Sequence, residues 1–122
     1  MKLSQIFIFN TIAALSYALG FLIIPETITS WHGITADQYT ILMARYFGVA
    51  LLGIGLLTWL VRDAPDTKYR DGILTGLGLS YIAGFILSLQ STMAGQMNIL
   101  GWLPVVVYLL LVLGFGYFRL LK

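Results

Sequence analysis

Few side chains of this 122-residue chain are of the types that carry out chemistry. Cysteine is absent, which excludes disulfides, thiolate nucleophiles and iron–sulfur ligation. His32 is the single histidine, so a metal site built on two histidines cannot form within one chain. No nucleophile stands beside a recognisable base, and no pair of carboxylates falls inside an apolar stretch. We therefore predict a protein that is not an enzyme and has no catalytic residues, cofactor or metal ion.

Arg45 is the one basic residue inside an apolar stretch, and three interpretations of it stay open. Snorkelling would bring its guanidinium to lipid phosphates. A salt bridge would pair it with Glu26, or alternatively with Asp37, across the outer mouth of the protein. A third interpretation is an anion or lipid headgroup held by Arg45 and its neighbours. The candidate ligand or salt-bridge cluster consists of Arg45, Glu26, His32, Trp31 and Tyr46.

The composition identifies the setting in which these residues work. Hydrophobic residues make up 59% of the chain and charged residues only 10%. A water-soluble domain of this size has too much surface to bury so many apolar side chains. A helix needs about 20 apolar residues to cross a bilayer, and four stretches qualify: about 3–24, 39–61, 72–90 and 99–118. We predict an all-α transmembrane four-helix bundle, with residues 1–122 as a single domain.

The distribution of Lys and Arg predicts the orientation of the bundle. Cytoplasmic flanks of membrane proteins collect basic residues. Six of the seven basic residues here can share one side, and the connections 25–38 and 91–98 contain none. These six residues are Lys2, Arg62, Lys68, Arg70, Arg119 and Lys122. Both termini are therefore predicted to be cytoplasmic, and scattered membrane-flanking charges give no indication of a nucleic-acid partner.

Small residues recur every fourth position along the third span. Such residues let helix backbones approach closely in lipid, where the hydrophobic effect does not drive helices together. Gly48 on the second span and Asn10 on the first are expected at helix contacts too, and Asn10 is expected to hydrogen-bond between helices. Packing within one chain is the favoured interpretation, and contact with a second copy or another membrane protein is the alternative. The small-residue stripe consists of Gly72, Gly76, Ser80, Gly84 and Ser88.

Three segments carry a resemblance to known proteins: residues 45–62, Asn98 with Gly101 and Trp102, and residues 114–118. In these segments the chain resembles small uncharacterised bacterial four-helix membrane proteins and, more loosely, the DoxX-like group. The resemblance implies a protein of the bacterial inner membrane and brings no catalytic motif with it.

Two functions follow from these features. The first is a noncatalytic accessory or interaction subunit in the membrane, with lipid and another membrane protein or a second copy as partners. The alternative is a binder or carrier of a lipid-like or quinone-like small molecule at the outer half of the bundle near Arg45.

Overall fold

The computed structural model describes residues 2–121, and within this range the chain is helical and has no strand. Met1 and Lys122 lie outside the described residues. Lys122 is one of the six basic residues from which the orientation is predicted. The prediction of an all-α fold is confirmed. The elements are α1 (Leu3–Ile23), α2 (Pro25–Trp31), α3 (Gln38–Leu60), α4 (Lys68–Met93), a 3₁₀ turn (Ile99–Gly101) and α5 (Trp102–Leu120).

Four helical stretches are long and apolar enough to cross a membrane. These are α1, α3, α4 and the continuous stretch formed by the 3₁₀ turn and α5. The prediction of four candidate membrane-spanning helices is therefore confirmed, and the fold is compatible with a multi-pass membrane protein. The fifth helix, α2, has only seven residues and was not predicted from the sequence.

Local capping residues explain where three of the helices begin. Pro25 starts α2, where a missing N–H costs no intrahelical hydrogen bond. Asp37 precedes α3, and its carboxylate accepts a hydrogen bond from the backbone N–H of Thr40 at 2.8 Å. Asn98 caps the 3₁₀ turn before α5 in the same way. Pro104 then falls in the first turn of α5, where its ring is tolerated.

The helices pack as two antiparallel pairs. Within residues 2–121, α1 packs along α3 and α4 packs along α5, whereas α1 and α5 make the most extensive contact between the pairs. The rings of Phe7 of α1 and Phe115 of α5 pack edge to face with their centroids 5.6 Å apart, next to the buried Leu74 of α4. This core lies toward the end that holds the start of α1 and the end of α5, here called the terminal end. The opposite end, which holds α2, is called the α2 end.

Candidate ligand-binding cavity

A partly open cavity of about 360 Å³ lies between the two helix pairs, from the middle of the bundle to the α2 end. It exists because the pairs pack tightly only at the terminal end. Small-molecule sites in proteins occupy about 300–1,000 Å³, so this volume suits a small ligand. Its polar or aromatic lining residues include Asn10, Tyr17, Thr29, His32, Ser80, Tyr81, Ser88, Ser91 and Tyr108.

A hydrogen-bond network joins α1, α3 and α4 at the mid-bundle end of the cavity. The Tyr81 hydroxyl donates to Oδ1 of Asn10 at 2.6 Å. Nδ2 of Asn10 donates to Oγ1 of Thr58 at 3.2 Å, and the Thr11 hydroxyl lies 2.9 Å from the same oxygen. Each interhelical hydrogen bond of this kind contributes about 1 kcal/mol in a membrane bundle. The network thus fixes the floor of the cavity.

A second polar group closes the cavity at the α2 end. Nδ1 of His32 lies 2.9 Å from the backbone carbonyl of Ile28, one turn earlier on α2. Nε2 of the same ring lies 3.3 Å from the Tyr17 hydroxyl of α1. His32 is buried, although a polar loop surrounds it in the sequence. The short helix α2 therefore serves to carry this imidazole into the bundle.

Tyr108 provides a further hydroxyl from α5. Its ring packs so closely on Gly84 of α4 that a Cβ at Gly84 would lie 2.7 Å from it. The glycine therefore makes room for the aromatic ring. No group of residues 2–121 forms a hydrogen bond with the Tyr108 hydroxyl, which leaves this donor available to a molecule in the cavity.

The cavity is partly open, and α3 and α4, which both contribute lining residues, do not pack along each other within the described part of the chain. Phe47 of α3 and Leu87 of α4 line the cavity and are also 45% and 66% exposed. An apolar rim of this kind would face lipid in a membrane. None of the lining residues, all within 2–121, is Asp, Glu, Lys or Arg. The site is therefore uncharged, and its mainly apolar lining includes a few polar groups.

Asn98 links the two helix pairs at the α2 end. Its Nδ2 donates to the backbone carbonyl of Trp31 at 3.0 Å, and its backbone N–H donates to the carbonyl of His32 at 3.1 Å. Gly33 follows with φ of +79°, a conformation that side chains with a Cβ rarely adopt. These contacts hold the end of α2 against the loop before α5.

The structure does not bring Arg45 and Glu26 into an ion pair. Both side chains are exposed, and the ion pairs formed within residues 2–121 involve other residues, around the loop between α3 and α4. Arg45 precedes the cavity-lining Phe47 by two positions, or about 200° around the helix, so it points away from the cavity. The predicted salt bridge between Arg45 and Glu26 is absent from the described residues. The exposed guanidinium of Arg45 stays solvated, whereas forming the ion pair would require its desolvation.

The other members of the predicted cluster separate. Trp31 and Tyr46 are 54% and 64% exposed, and neither lines the cavity. Only His32 of the predicted cluster does.

The small-residue stripe of α4 also divides into two parts. Gly72 and Gly76 are exposed, and a Cβ at either position would meet nothing within 4 Å. Ser80, Gly84 and Ser88 line the cavity. The stripe therefore drifts around α4 from the outer surface to the interior, as a repeat of four residues must on a helix of about 3.6 residues per turn.

Gly48 and Asn10 both lie at the contact between α1 and α3. A Cβ at Gly48 would lie 3.2 Å from the backbone oxygen of Ala18, so this glycine allows close approach of the helices. Asn10 is only 2% exposed and belongs to both the network and the cavity lining.

Sequence reasoning missed Tyr17, Tyr81 and Tyr108. Tyrosines of membrane helices concentrate at the two interfaces, where the hydroxyl reaches water. These three fall within the spans instead. Their positions were the available signal, because a tyrosine hydroxyl inside a bundle needs a partner or a cavity.

Together, the fold and the cavity define a class: helical proteins with four candidate membrane spans and an uncharged, mainly apolar cavity with a few polar groups between two helix pairs. The chain matches no family model, no curated protein and no solved structure. Its function is therefore argued from the geometry of the cavity.

Proposed function

We propose that this protein binds or carries a lipid-like or quinone-like small molecule in the cavity between its helix pairs, without catalysing a reaction on it. The supporting observation is the uncharged, mainly apolar cavity of about 360 Å³, whose lining includes a few polar groups that a ligand can use. The proposed site extends from the middle of the bundle to the α2 end. It does not include Arg45.

The lining restricts the chemistry of the ligand. A phosphate or carboxylate head would have to leave water without a Lys or Arg to pair with, which is costly in a low-dielectric interior. A neutral head with hydroxyl or carbonyl oxygens can instead use the Tyr108 hydroxyl and the polar groups near His32. An apolar tail would leave between Phe47 and Leu87 into the lipid.

Native mass spectrometry of the protein released from gentle detergent tests the proposal. We expect a retained neutral small molecule on the wild-type chain. Ala13 lines the cavity, so Ala13→Phe should fill it and remove the bound mass. Ile12 is 63% exposed, and Ile12→Phe is the matched control that should keep the ligand. Retention of the same mass by Ala13→Phe would place the ligand elsewhere and contradict the proposal.

A second function, an accessory or interaction subunit, is supported by the open glycine surface of α4. Gly72 and Gly76 leave the backbone accessible, and such surfaces allow helices of separate chains to approach closely. A second copy of the chain or another membrane protein would cover this surface. The two functions are compatible, because the cavity lies on a different part of the bundle.

Single cysteines test self-association, since the chain has none of its own. With Gly76→Cys we expect disulfide-linked dimers on mild oxidation in membranes. Ile82→Cys is the control, because Ile82 is also exposed but lies about 120° away around α4. Equal yields from the two variants would show that the glycine surface is not a specific contact between copies.

We further propose the bacterial inner membrane as the location, with both termini cytoplasmic. The resemblance to small bacterial membrane proteins supports this location. The clustering of basic residues supports this orientation. A thiol-reactive reagent that cannot cross membranes should label Gln96→Cys from the periplasmic side. It should reach Asp66→Cys only after the membrane is opened, and the reverse pattern would invert the proposed topology.

A further inference from the structure

The hydrogen bonds of His32 determine which of its ring nitrogens carries the proton. Nδ1 lies 2.9 Å from the carbonyl oxygen of Ile28, and a carbonyl can only accept. Nδ1 must therefore be the N–H donor. In a neutral imidazole the other nitrogen, Nε2, is then an acceptor. Because His32 lines the cavity, the residue that directly follows α2 presents a hydrogen-bond acceptor to the ligand site.

The Tyr17 hydroxyl occupies this acceptor only loosely. It must act as the donor to Nε2, and the two atoms are 3.3 Å apart. Hydrogen bonds from hydroxyl groups are usually shorter, about 2.7–2.8 Å to oxygen. The contact is thus long enough for a better-placed donor to replace it. Tyr17 is half-buried and also lines the cavity, so its hydroxyl can turn toward a ligand oxygen.

The acceptor in the network at the other end of the cavity is more strongly engaged. Oδ1 of Asn10 already accepts a short bond of 2.6 Å from Tyr81. The Tyr108 hydroxyl is an available donor with no partner in residues 2–121. The cavity thus offers a weakly engaged acceptor at His32 and a free donor on α5.

We infer that Nε2 of His32 accepts the hydroxyl hydrogen of the ligand, so that the cavity selects phenol-type or alcohol-type heads over the corresponding ethers. This inference rests on the proposed function and specifies the class of molecule at that same site. The ligand hydroxyl displaces Tyr17 from Nε2, and the Tyr17 hydroxyl then donates to the ligand oxygen. A methyl ether has the same ring and tail but no hydrogen to give, so it cannot form the first of these bonds.

Binding of para-dodecylphenol and its methyl ether to the protein in lipid nanodiscs tests the inference. Titration calorimetry should give about tenfold tighter binding for the phenol, the effect of one hydrogen bond in a water-excluded site. Equal binding of both probes would overturn the inference and leave the proposed function standing. Binding of neither probe would count against both.

Two variants separate the roles of the pair. His32→Asn keeps an amide donor near the Ile28 carbonyl but has no group at the Nε2 position, so the phenol preference should disappear while the ether still binds. Tyr17→Phe removes the competing donor, and the preference for phenol should persist. Loss of the preference in Tyr17→Phe together with its retention in His32→Asn would assign the selectivity to Tyr17 instead.

Thermal unfolding without ligand monitors the folding of each variant. If His32→Asn does not fold, the wild type and Tyr17→Phe still decide the question.

Discussion

The Tyr81 hydroxyl of α4 donates a 2.6 Å hydrogen bond to Oδ1 of Asn10 on α1, and this bond crosses between the two helix pairs. Asn10 in turn donates to Thr58 on α3. The backbones of α1 and α4 do not pack closely along each other within residues 2–121. The long tyrosine side chain therefore spans a distance that smaller side chains would leave empty. The same bond holds the pairs together and leaves space for the cavity.

Tyr81→Phe should weaken the association of the two helix pairs. The ring keeps its contact with Phe115, so the change removes the hydroxyl and leaves Oδ1 of Asn10 without this partner. We expect a loss of about 1 kcal/mol in the free energy of unfolding, measured by denaturant titration in mixed micelles. Tyr69→Phe is the control, because Tyr69 is 74% exposed and should change nothing measurable. An effect of the same size for both variants would mean that the Asn10 contact does not stabilise the fold.

The helical class and the four candidate spans could be predicted because the bilayer thickness sets the number of consecutive apolar residues that a span needs. A span requires about 20 apolar residues, and this property is read directly along the sequence. The short helix α2 was not predicted because its seven residues give too little periodicity. Its contact with Asn98 depends on the rest of the fold.

The cavity could be predicted only in part, because it depends on how the helix pairs are placed. Asn10 was expected to hydrogen-bond between helices, and its polar amide inside a span was the signal. His32 was predicted as a member of the cluster around Arg45, which the structure leaves exposed and outside the cavity. Tyr17 and Tyr81 come together with these residues from separate helices. The spacing of residues along the sequence does not specify which side chains of separate helices come into contact.

Gly48→Ala should destabilise the contact between α1 and α3. The added methyl would lie 3.1 Å from Cβ of Phe21 and 3.2 Å from the backbone oxygen of Ala18, and neither atom can move without the helix. We expect a loss of about 1–2 kcal/mol in the free energy of unfolding, as for an overpacked interior. Gly53→Ala on the same helix is the matched control, because its methyl would meet nothing within 4 Å. The expectation fails if the two variants unfold at the same denaturant concentration.

Replacement of Asn98 should loosen the α2 end of the bundle. Asn98→Ala removes the bond to the Trp31 carbonyl and the cap on the N–H of Leu100, each about 3.0 Å long. Asn98→Asp keeps an oxygen for the cap but has no donor for Trp31. Hydrogen exchange read by mass spectrometry should therefore rise around Gly33 in both variants, and at the start of α5 only in Asn98→Ala.

The control for this experiment is Gln96→Ala. Gln96 is exposed in the same loop, and its side chain has no hydrogen bond within residues 2–121. Its exchange pattern should match that of the wild type. Increased exchange around Gly33 in Gln96→Ala would indicate general loop sensitivity rather than a specific role for Asn98.

The start of α3 should depend on pH through Asp37. Hydrogen bonds from the backbone and side chain of Thr40 lower the pKa of the Asp37 carboxyl below its ordinary value. A lowered pKa in the folded state stabilises the fold above the ordinary pKa of about 3.9, and this stabilisation is lost as the pH falls through the folded-state value. The carboxyl carbon of Asp37, followed by NMR in micelles, should titrate with a midpoint below that of an unfolded peptide. Asp37→Asn keeps a capping oxygen but cannot titrate, so the first turn of α3 should respond less to acid in this variant. A midpoint at the peptide value would show that the cap does not favour the charged form.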